Sequence, residues 1–265
     1  MPGPLVFAHA NGFPAATYRM LFDALRGAGQ EVVAIDKIGH DPQYPVSDNW
    51  PHLREQLERF VERECREPAF LVGHSLGGFL SLMVACVRPE LACGVVLLDS
   101  PVIAGWRAHG LRIAKASGLI DRVSPGHISR RRRHHWASLE EAHRHFAPKP
   151  AFARWHPQAL SDYVIQGTEA FGGGRRLSFS REIETNIYRT PPHDLPLMLR
   201  RHPPKCPVAF VGGTRSVEIR RVGLDATHRV TQGRISWVDG SHLFPFEKPL
   251  DAAAQIVRWI RTFAA

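Results

Sequence analysis

The chain has 265 residues, 44% hydrophobic and 22% charged, with six tryptophans; this is enough apolar material for one large core and too much for a disordered chain. No N-terminal stretch joins a basic start, an apolar run and a small-residue cleavage site, and no apolar run approaches membrane-spanning length, so a cytoplasmic protein without an integral membrane segment is expected. The formal net charge is +9, and residues 101–204 account for all of it, holding 17 of the 34 Lys and Arg, 8 of the 25 Asp and Glu, and 9 of the 15 histidines.

In chain order, a first short apolar strand, Leu5–Ala8, runs into the polar loop His9-Ala10-Asn11-Gly12-Phe13-Pro14. A helical pattern over Thr17–Ala28 ends near Gly29, and Glu31–Ile35 is the next strand. Trp50–Arg66 reads as a helix, opened by Asp48 and Asn49 with Pro51 in its first turn. The strand Ala69–Val72 leads into Gly73-His74-Ser75-Leu76-Gly77, and an almost wholly apolar helix continues through Cys86 to end near Pro89. After the strand Gly94–Leu98 the alternation breaks off over residues 101–204, where Gly172-Gly173-Gly174 reads as a flexible loop. It then resumes with Pro207–Val211, Arg234–Val238 and a closing helix, Pro249–Phe263. Strands rich in Val, Ile, Leu and Phe that alternate with helices make an α/β fold, a mostly parallel sheet with helices on both faces. There is no sequence repeat and no glycine fingerprint of a dinucleotide-binding fold.

Gly73–Gly77 carries the chemistry. Gly-x-Ser-x-Gly between strand and helix sets Ser75 on a strained turn, exposed, with glycines that let the backbone fold back on itself. The helix that begins there leaves free N–H groups beside any oxyanion formed at Ser75. His242, in Asp239-Gly240-Ser241-His242, follows the last strand. Its loop lies at the carboxyl edge of the sheet, where ligands and catalytic groups of open α/β sheets gather.

These residues resemble the α/β-hydrolase superfamily over most of residues 4–100 and 205–263. His9–Pro14 is similar to that family's oxyanion loop, Asp36–His40 to its Asp-x-x-Gly-His segment, Gly73–Gly77 to its nucleophile elbow, and Gly240–His242 with Glu247–Pro249 to its histidine loop and final helix entry. The resemblance implies a core of residues 1–100 and 205–265, with 101–204 inserted as a helical lid. It also implies a serine hydrolase that cleaves a carboxylic ester or related acyl compound through an acyl-enzyme. Ser75 would be the nucleophile, His242 the base, and the N–H groups of Leu76 and Phe13 the oxyanion donors. Thioester, lactone or carbon–carbon bond hydrolysis, acyl transfer, and non-catalytic binding in a hydrolase-like pocket are alternatives on the same fold.

Two departures from the family pattern matter. The oxyanion loop begins at residue 9, so two strands that usually precede it are expected to be missing, which puts Glu31–Ile35 at an edge that can pair with another chain, as in a homodimer. The acid expected after the next-to-last strand is replaced, because Gly213-Thr214-Arg215 is followed by Ser216. Asp99, at the end of the strand Gly94–Leu98, is the first candidate for that acid, Glu218 is the alternative, and Asp225, Asp239 or no acid remain open.

The other conspicuous residues read more plainly. Arg130–Arg133 beside Trp136 is expected to be a solvated helix face and not a nucleic-acid site. Asp36 and His40 are expected to hold a turn, His74 to be structural or substrate-facing, and His9 and Asn11 to order the oxyanion loop. The adjacent His134 and His135 cannot share a helix face, so no metal is expected, and no cofactor is implied. The four cysteines are scattered, without a Cys-x-x-Cys pair, and are expected to be reduced. Trp106, Trp136, Phe146, Phe152, Trp155, Tyr163, Phe171 and Phe179 lie in the insertion, where they would divide between lid core and an acyl or aryl pocket. The basic excess there favours an anionic substrate or surface.

Overall fold

A computed structural model describes residues 3–265. The strands are β1 (Leu5–Ala8), β2 (Val32–Ala34), β3 (Ala69–His74), β4 (Ala92–Leu98), β5 (His135–Trp136), β6 (Thr168–Phe171), β7 (Gly174–Leu177), β8 (Val208–Gly213) and β9 (Ile235–Val238). Six of them form one sheet in the order β2-β1-β3-β4-β8-β9, with every neighbouring pair parallel. The sheet expected from the sequence is borne out, and the short β2 stands at its edge.

Helices α1 (Arg19–Gly27), α2 (Pro51–Glu64) and α3 (Leu76–Val87) belong to the first half of the chain. Between β4 and β8 come α4 (Trp106–Ala116), α5 (Ile120–Val123), α6 (Gly126–Arg131), α7 (Leu139–Phe146), α8 (Pro157–Gln166), α9 (Arg181–Arg189) and α10 (Leu195–Arg201). The last are α11 (Val217–Val222), α12 (Asp225–Thr231), α13 (Phe244–Glu247) and α14 (Pro249–Ala264). No helix among the described residues is long and apolar enough to cross a membrane.

Strand side chains point alternately to two apolar layers, which is why the strands read as continuous hydrophobic runs. Phe7, Val72, Val96 and Val211 pack with Leu21 and Leu25 of α1 and Ile256 and Ile260 of α14. Val6, Leu71, Val95 and Phe210 face the other way, against Leu53 and Leu57 of α2 and Leu80 and Val84 of α3. Helix α3 is therefore buried on nearly every side, and its first residue is fixed in place at the carboxyl end of β3.

The insertion is not wholly helical. β5, β7 and β6 form an antiparallel sheet, and Gly172 and Gly173, both at positive φ, make the tight β6–β7 turn in place of a flexible loop. Charged Glu169, Arg175 and Arg176 hide the hairpin from an apolar-alternation reading; Arg175 Nη2 donates to Thr168 O at 2.7 Å and Arg176 pairs with Glu169 at 2.7 Å.

Candidate active site

Ser75 lies between β3 and α3 at φ 52° and ψ −113°, a conformation disfavoured for a residue with a Cβ. Close approach of the backbone demands the flanking glycines. A Cβ on Gly77 would sit 2.0 Å from Ala8 O, and one on Gly73 would sit 2.2 Å from the Gly77 carbonyl carbon. The turn thus holds Ser75 at the carboxyl edge of the sheet, in the place the sequence assigned it.

His242 Nε2 is 3.1 Å from Ser75 Oγ, and His242 Nδ1 is 2.8 Å from Asp99 Oδ1. Nδ1 faces carboxylate and so carries the proton, which leaves the Nε2 lone pair for the serine hydroxyl. Asp99 is buried; its Oδ2 accepts from Gly213 N at 2.7 Å and its Oδ1 accepts from Ser216 Oγ at 2.6 Å. Glu218 Oε2 stands 3.8 Å from His242 Nδ1, beyond hydrogen-bond reach, on a side chain 43% exposed. Burial opposes a charge on His242, but the Asp99 hydrogen bond and charge, with a smaller contribution from Glu218, outweigh it and hold its pKa above the usual 6.5. Asp99, Glu218 and His242 bring their donor atoms within 4.8 Å of one another, with Asp99 Oδ1 committed to His242 and Ser216. Asp225 begins α12, and the exposed Asp239 pairs with Arg215 and Thr214.

Residues less visible in the sequence fix these groups. His74 is buried in the elbow; its Nε2–H donates to the His242 carbonyl at 2.8 Å, and its Nδ1 accepts from Tyr18 Oη at 2.8 Å. Tyr18 Oη in turn accepts from Ala10 N at 3.2 Å, so one chain of hydrogen bonds joins the loop after β1 to the His242 backbone. Burial, followed by the neighbouring His242, lowers the His74 pKa well below 6.5 and keeps that chain neutral. Glu247 accepts from Ser241 N at 3.0 Å and from Ser241 Oγ, which pins the loop one residue before His242. No motif marked Tyr18, since its partners are distant in sequence.

The loop after β1 is ordered by His9, whose Nδ1–H donates to Ala10 O and whose Nε2 accepts from Ile38 N, both at 2.8 Å. Asn11 Nδ2 donates to Glu184 O at 3.0 Å. The expected oxyanion donors divide. Leu76 N–H, the first of α3, has no acceptor among the described residues, whereas Phe13 N–H already donates to Ala10 O at 3.1 Å. The N–H groups of Asn11 and Gly12 have no acceptor among the described residues.

His40 Nε2 accepts from Ser180 N at 3.0 Å, so it ties the core to the insertion, and Asp36 is exposed. Trp136, Phe146, Trp155, Tyr163 and Phe179 are buried, while Trp106 is 75% exposed. Trp155 stacks on Phe246 with ring centroids 4.2 Å apart, and Phe13 packs against Tyr163, so the segment between β4 and β8 grips the rest of the chain through aromatic rings beside the loop after β1. Of the four-arginine run, Arg130, Arg131 and Arg133 are exposed as expected, but Arg132 turns inward to Glu184. All four cysteines are free.

A parallel sheet with a strained serine elbow and a histidine loop at its carboxyl edge defines an α/β-hydrolase architecture. The sequence matches the alpha/beta hydrolase family over residues 5–256, and the chain belongs to that family. Among curated proteins it is 31% identical to monoglyceride lipase of Mus musculus over 132 residues, 47% of this chain and 44% of that protein. It is 35% identical to epoxide hydrolase B of Mycobacterium tuberculosis over 115 residues, 41% of this chain and 32% of that protein. The matches span less than half the length of these relatives. Among solved structures, E-2-(acetamidomethylene)succinate hydrolase superposes with a TM-score of 0.77 at 22% identity, covering 98% of this chain and 91% of that one. The thioesterase domain from the curacin biosynthetic pathway gives 0.70 at 22% identity, covering 97% and 90%.

Proposed function

We propose that the protein is a serine-dependent hydrolase of a carboxylic ester or related acyl compound. The observation that carries this reading is the hydrogen-bonded series Ser75 Oγ, His242 Nε2, His242 Nδ1, Asp99 Oδ1, set beside the unpaired N–H of Leu76. His242 takes the serine proton as Ser75 Oγ bonds to the substrate carbonyl carbon. The resulting oxyanion is held by Leu76 N–H and the N–H of Asn11 or Gly12. His242 then gives its proton to the leaving oxygen or sulfur as that bond breaks, leaving an acyl-serine. Water, deprotonated by the same imidazole, releases the acid and restores Ser75. Asp99 holds the imidazole tautomer and stabilises the imidazolium.

Residues 101–204 form the lid in this reading, and their aromatic rings border the acyl site. Lipase and thioesterase names among the similar proteins support acyl chemistry, since both act at a carbonyl carbon. The test is Ser75→Ala, assayed with short p-nitrophenyl esters and with a fluorophosphonate probe. Hydrolysis and labelling should both be lost while the melting temperature stays near that of the wild type. Retained hydrolysis in a folded S75A protein refutes the mechanism, and an accessible but unlabelled Ser75 in the wild type favours a binding protein instead.

A further inference from the structure

Tyr18 closes a short 3₁₀ turn, Ala15–Tyr18, just before α1, and is 1% exposed. Its ring packs on Phe7 and Phe246, with centroids 4.8 and 4.4 Å away, which sets the direction of the hydroxyl. That hydroxyl meets Ala10 N, just before Asn11, at 3.2 Å and His74 Nδ1, just before Ser75, at 2.8 Å. An amide nitrogen can only donate and a carbonyl oxygen only accept, so the two ends of the series fix its sense. Ala10 N–H donates to Tyr18 Oη, Tyr18 O–H to His74 Nδ1, and His74 Nε2–H to the His242 carbonyl. Burial keeps both titratable members neutral, raising the Tyr18 pKa well above 10 and lowering that of His74 well below 6.5. Neither side chain makes another hydrogen bond among the described residues, so breaking one of these bonds leaves a buried group unsatisfied.

The ends of this series are the two groups that have to be set against Ser75. The loop after β1 carries the N–H groups of Asn11 and Gly12, and the loop after β9 carries the imidazole. β1 adjoins β3, but β9 stands at the far edge of the sheet, with β4 and β8 between it and the strand that leads to the serine. A base delivered from that edge has to be located by bonds to its own loop. Asp99 orients the ring at Nδ1, and the His74 bond fixes the backbone from which the ring hangs. Ala10 is held on both sides, its carbonyl by His9 Nδ1 and Phe13 N and its N–H by Tyr18.

We propose that Tyr18 is a positioning residue: its hydroxyl, acting through His74, holds the His242 backbone and the loop bearing the Asn11 and Gly12 N–H groups in one arrangement about Ser75. This rests on the serine-hydrolase reading and adds to it a residue from outside the series Ser75, His242 and Asp99. Tyr18→Phe removes one oxygen and keeps the ring packing. It leaves Ala10 N–H without an acceptor and His74 Nδ1 without a donor. The His74 proton is then free to move to Nδ1, which sets a bare Nε2 against the His242 carbonyl and releases that tether.

The first readout is hydrolysis of p-nitrophenyl butyrate, with kcat referred to the serines titrated by a fluorophosphonate so that unfolded molecules drop out. Y18F should lower kcat by about tenfold to a hundredfold, the cost of a small misplacement of reacting groups, with KM changed less than about threefold. His74→Leu should cost a similar factor, and Y18F/H74L should fall at least about fivefold short of the product of the single losses, because both variants break one series. The second readout is amide hydrogen exchange, which needs no substrate. In Y18F exchange should quicken by about threefold or more both in residues 9–13, which the hydroxyl touches, and in residues 239–244, which it reaches only through His74, while β3 and α3 keep their protection. An unchanged kcat in Y18F, a loss confined to KM, single losses that multiply in the double variant, or quicker exchange in residues 9–13 alone overturns the proposal. If the wild type hydrolyses no ester, the hydrolase reading fails separately and the exchange decides the coupling: joint loosening of the two loops supports it, and loosening of one or neither overturns it.

Discussion

Replacing Asp99 by asparagine tests the third member of the site with little change in shape. The amide that results can keep its carbonyl oxygen towards Gly213 N–H, where Asp99 Oδ2 accepts at 2.7 Å. Its nitrogen then faces Ser216 Oγ and His242 Nδ1 at the position of Asp99 Oδ1. Ser216 Oγ can turn from donor to acceptor, so the fold loses little. His242 cannot adapt without cost: opposite an N–H donor its Nδ1 must become the acceptor, which moves the ring proton to Nε2 and points it at Ser75. A base in that tautomer cannot take the serine proton, and the same substitution in a serine protease lowers kcat about 10⁴-fold.

Glu218 makes the expected loss smaller. At 3.8 Å and 43% exposed, its carboxylate offers His242 a screened charge worth about 1 kcal/mol or less, which is no more than about one decade in rate. We therefore expect D99N to lower kcat/KM for a p-nitrophenyl ester by ~10³ to ~10⁴, E218Q alone to lower it less than about fivefold, and D99N/E218Q to fall up to about another tenfold. Melting temperature and fluorophosphonate labelling rates on the same preparations separate lost chemistry from lost fold. A folded D99N protein that loses less than about tenfold, with E218Q taking the larger loss, would falsify the assignment of Asp99.

Three further outcomes follow from the same geometry. Because His242 must be neutral to accept a proton and its pKa is held above 6.5, kcat/KM should rise with pH through an inflection above 6.5, and that inflection should move down in D99N; a limb below 6.5 in wild type contradicts the pairing. Burial lowers the His9 pKa to about 4, so the unfolded chain binds this proton first and stability falls as pH drops from about 6.5 towards 4. The loss amounts to about 2 kcal/mol by pH 5. His74 acts in the same direction, and the stability that the raised pKa of His242 adds is already complete by pH 6.5, so the melting temperature should be lower at pH 5 than at pH 6.5, with a smaller difference in H9Q. Ser216→Asp in the D99N background puts a carboxylate where the family usually carries one, and should recover at least about tenfold of the lost rate; S216D alone, with two carboxylates in contact, should melt lower than wild type.

The core sheet was legible because each strand is a continuous apolar run between turn signals, and a strand buried on both faces has no other pattern. Ser75 and His242 were legible because their constraints are local: glycine at 73 and 77, and a loop directly after the last strand. The proposed acid was less so, since Asp99 and Glu218 differ only in where β4 ends and α11 begins in space. The inward turn of Arg132 had no local signal at all, because its partner Glu184 is on another helix and three neighbouring arginines face solvent. Phe13 was implied as a donor by the loop's resemblance to the family's, but the turn closed by Ala10 O takes its N–H, and only the folded backbone shows that.

If Asp99 is the acid, as proposed, its place after β4 in place of β8 follows from the sheet. The two strands are parallel neighbours with Leu98 opposite Val211, and Asp99 N–H donates to Val211 O, so their carboxyl ends open side by side beneath the loop that carries His242. Ser216 Oγ, 2.6 Å from Asp99 Oδ1, shows how near the two positions lie. A carboxylate from either strand can reach Nδ1 of the same histidine, provided that the other position supplies a donor in place of a second charge. Ser216 meets that condition and also accepts from Ile219 N at 3.2 Å as the N-cap of α11. The serine at that position thus gives Asp99 Oδ1 a hydrogen-bond donor where a second carboxylate would repel it.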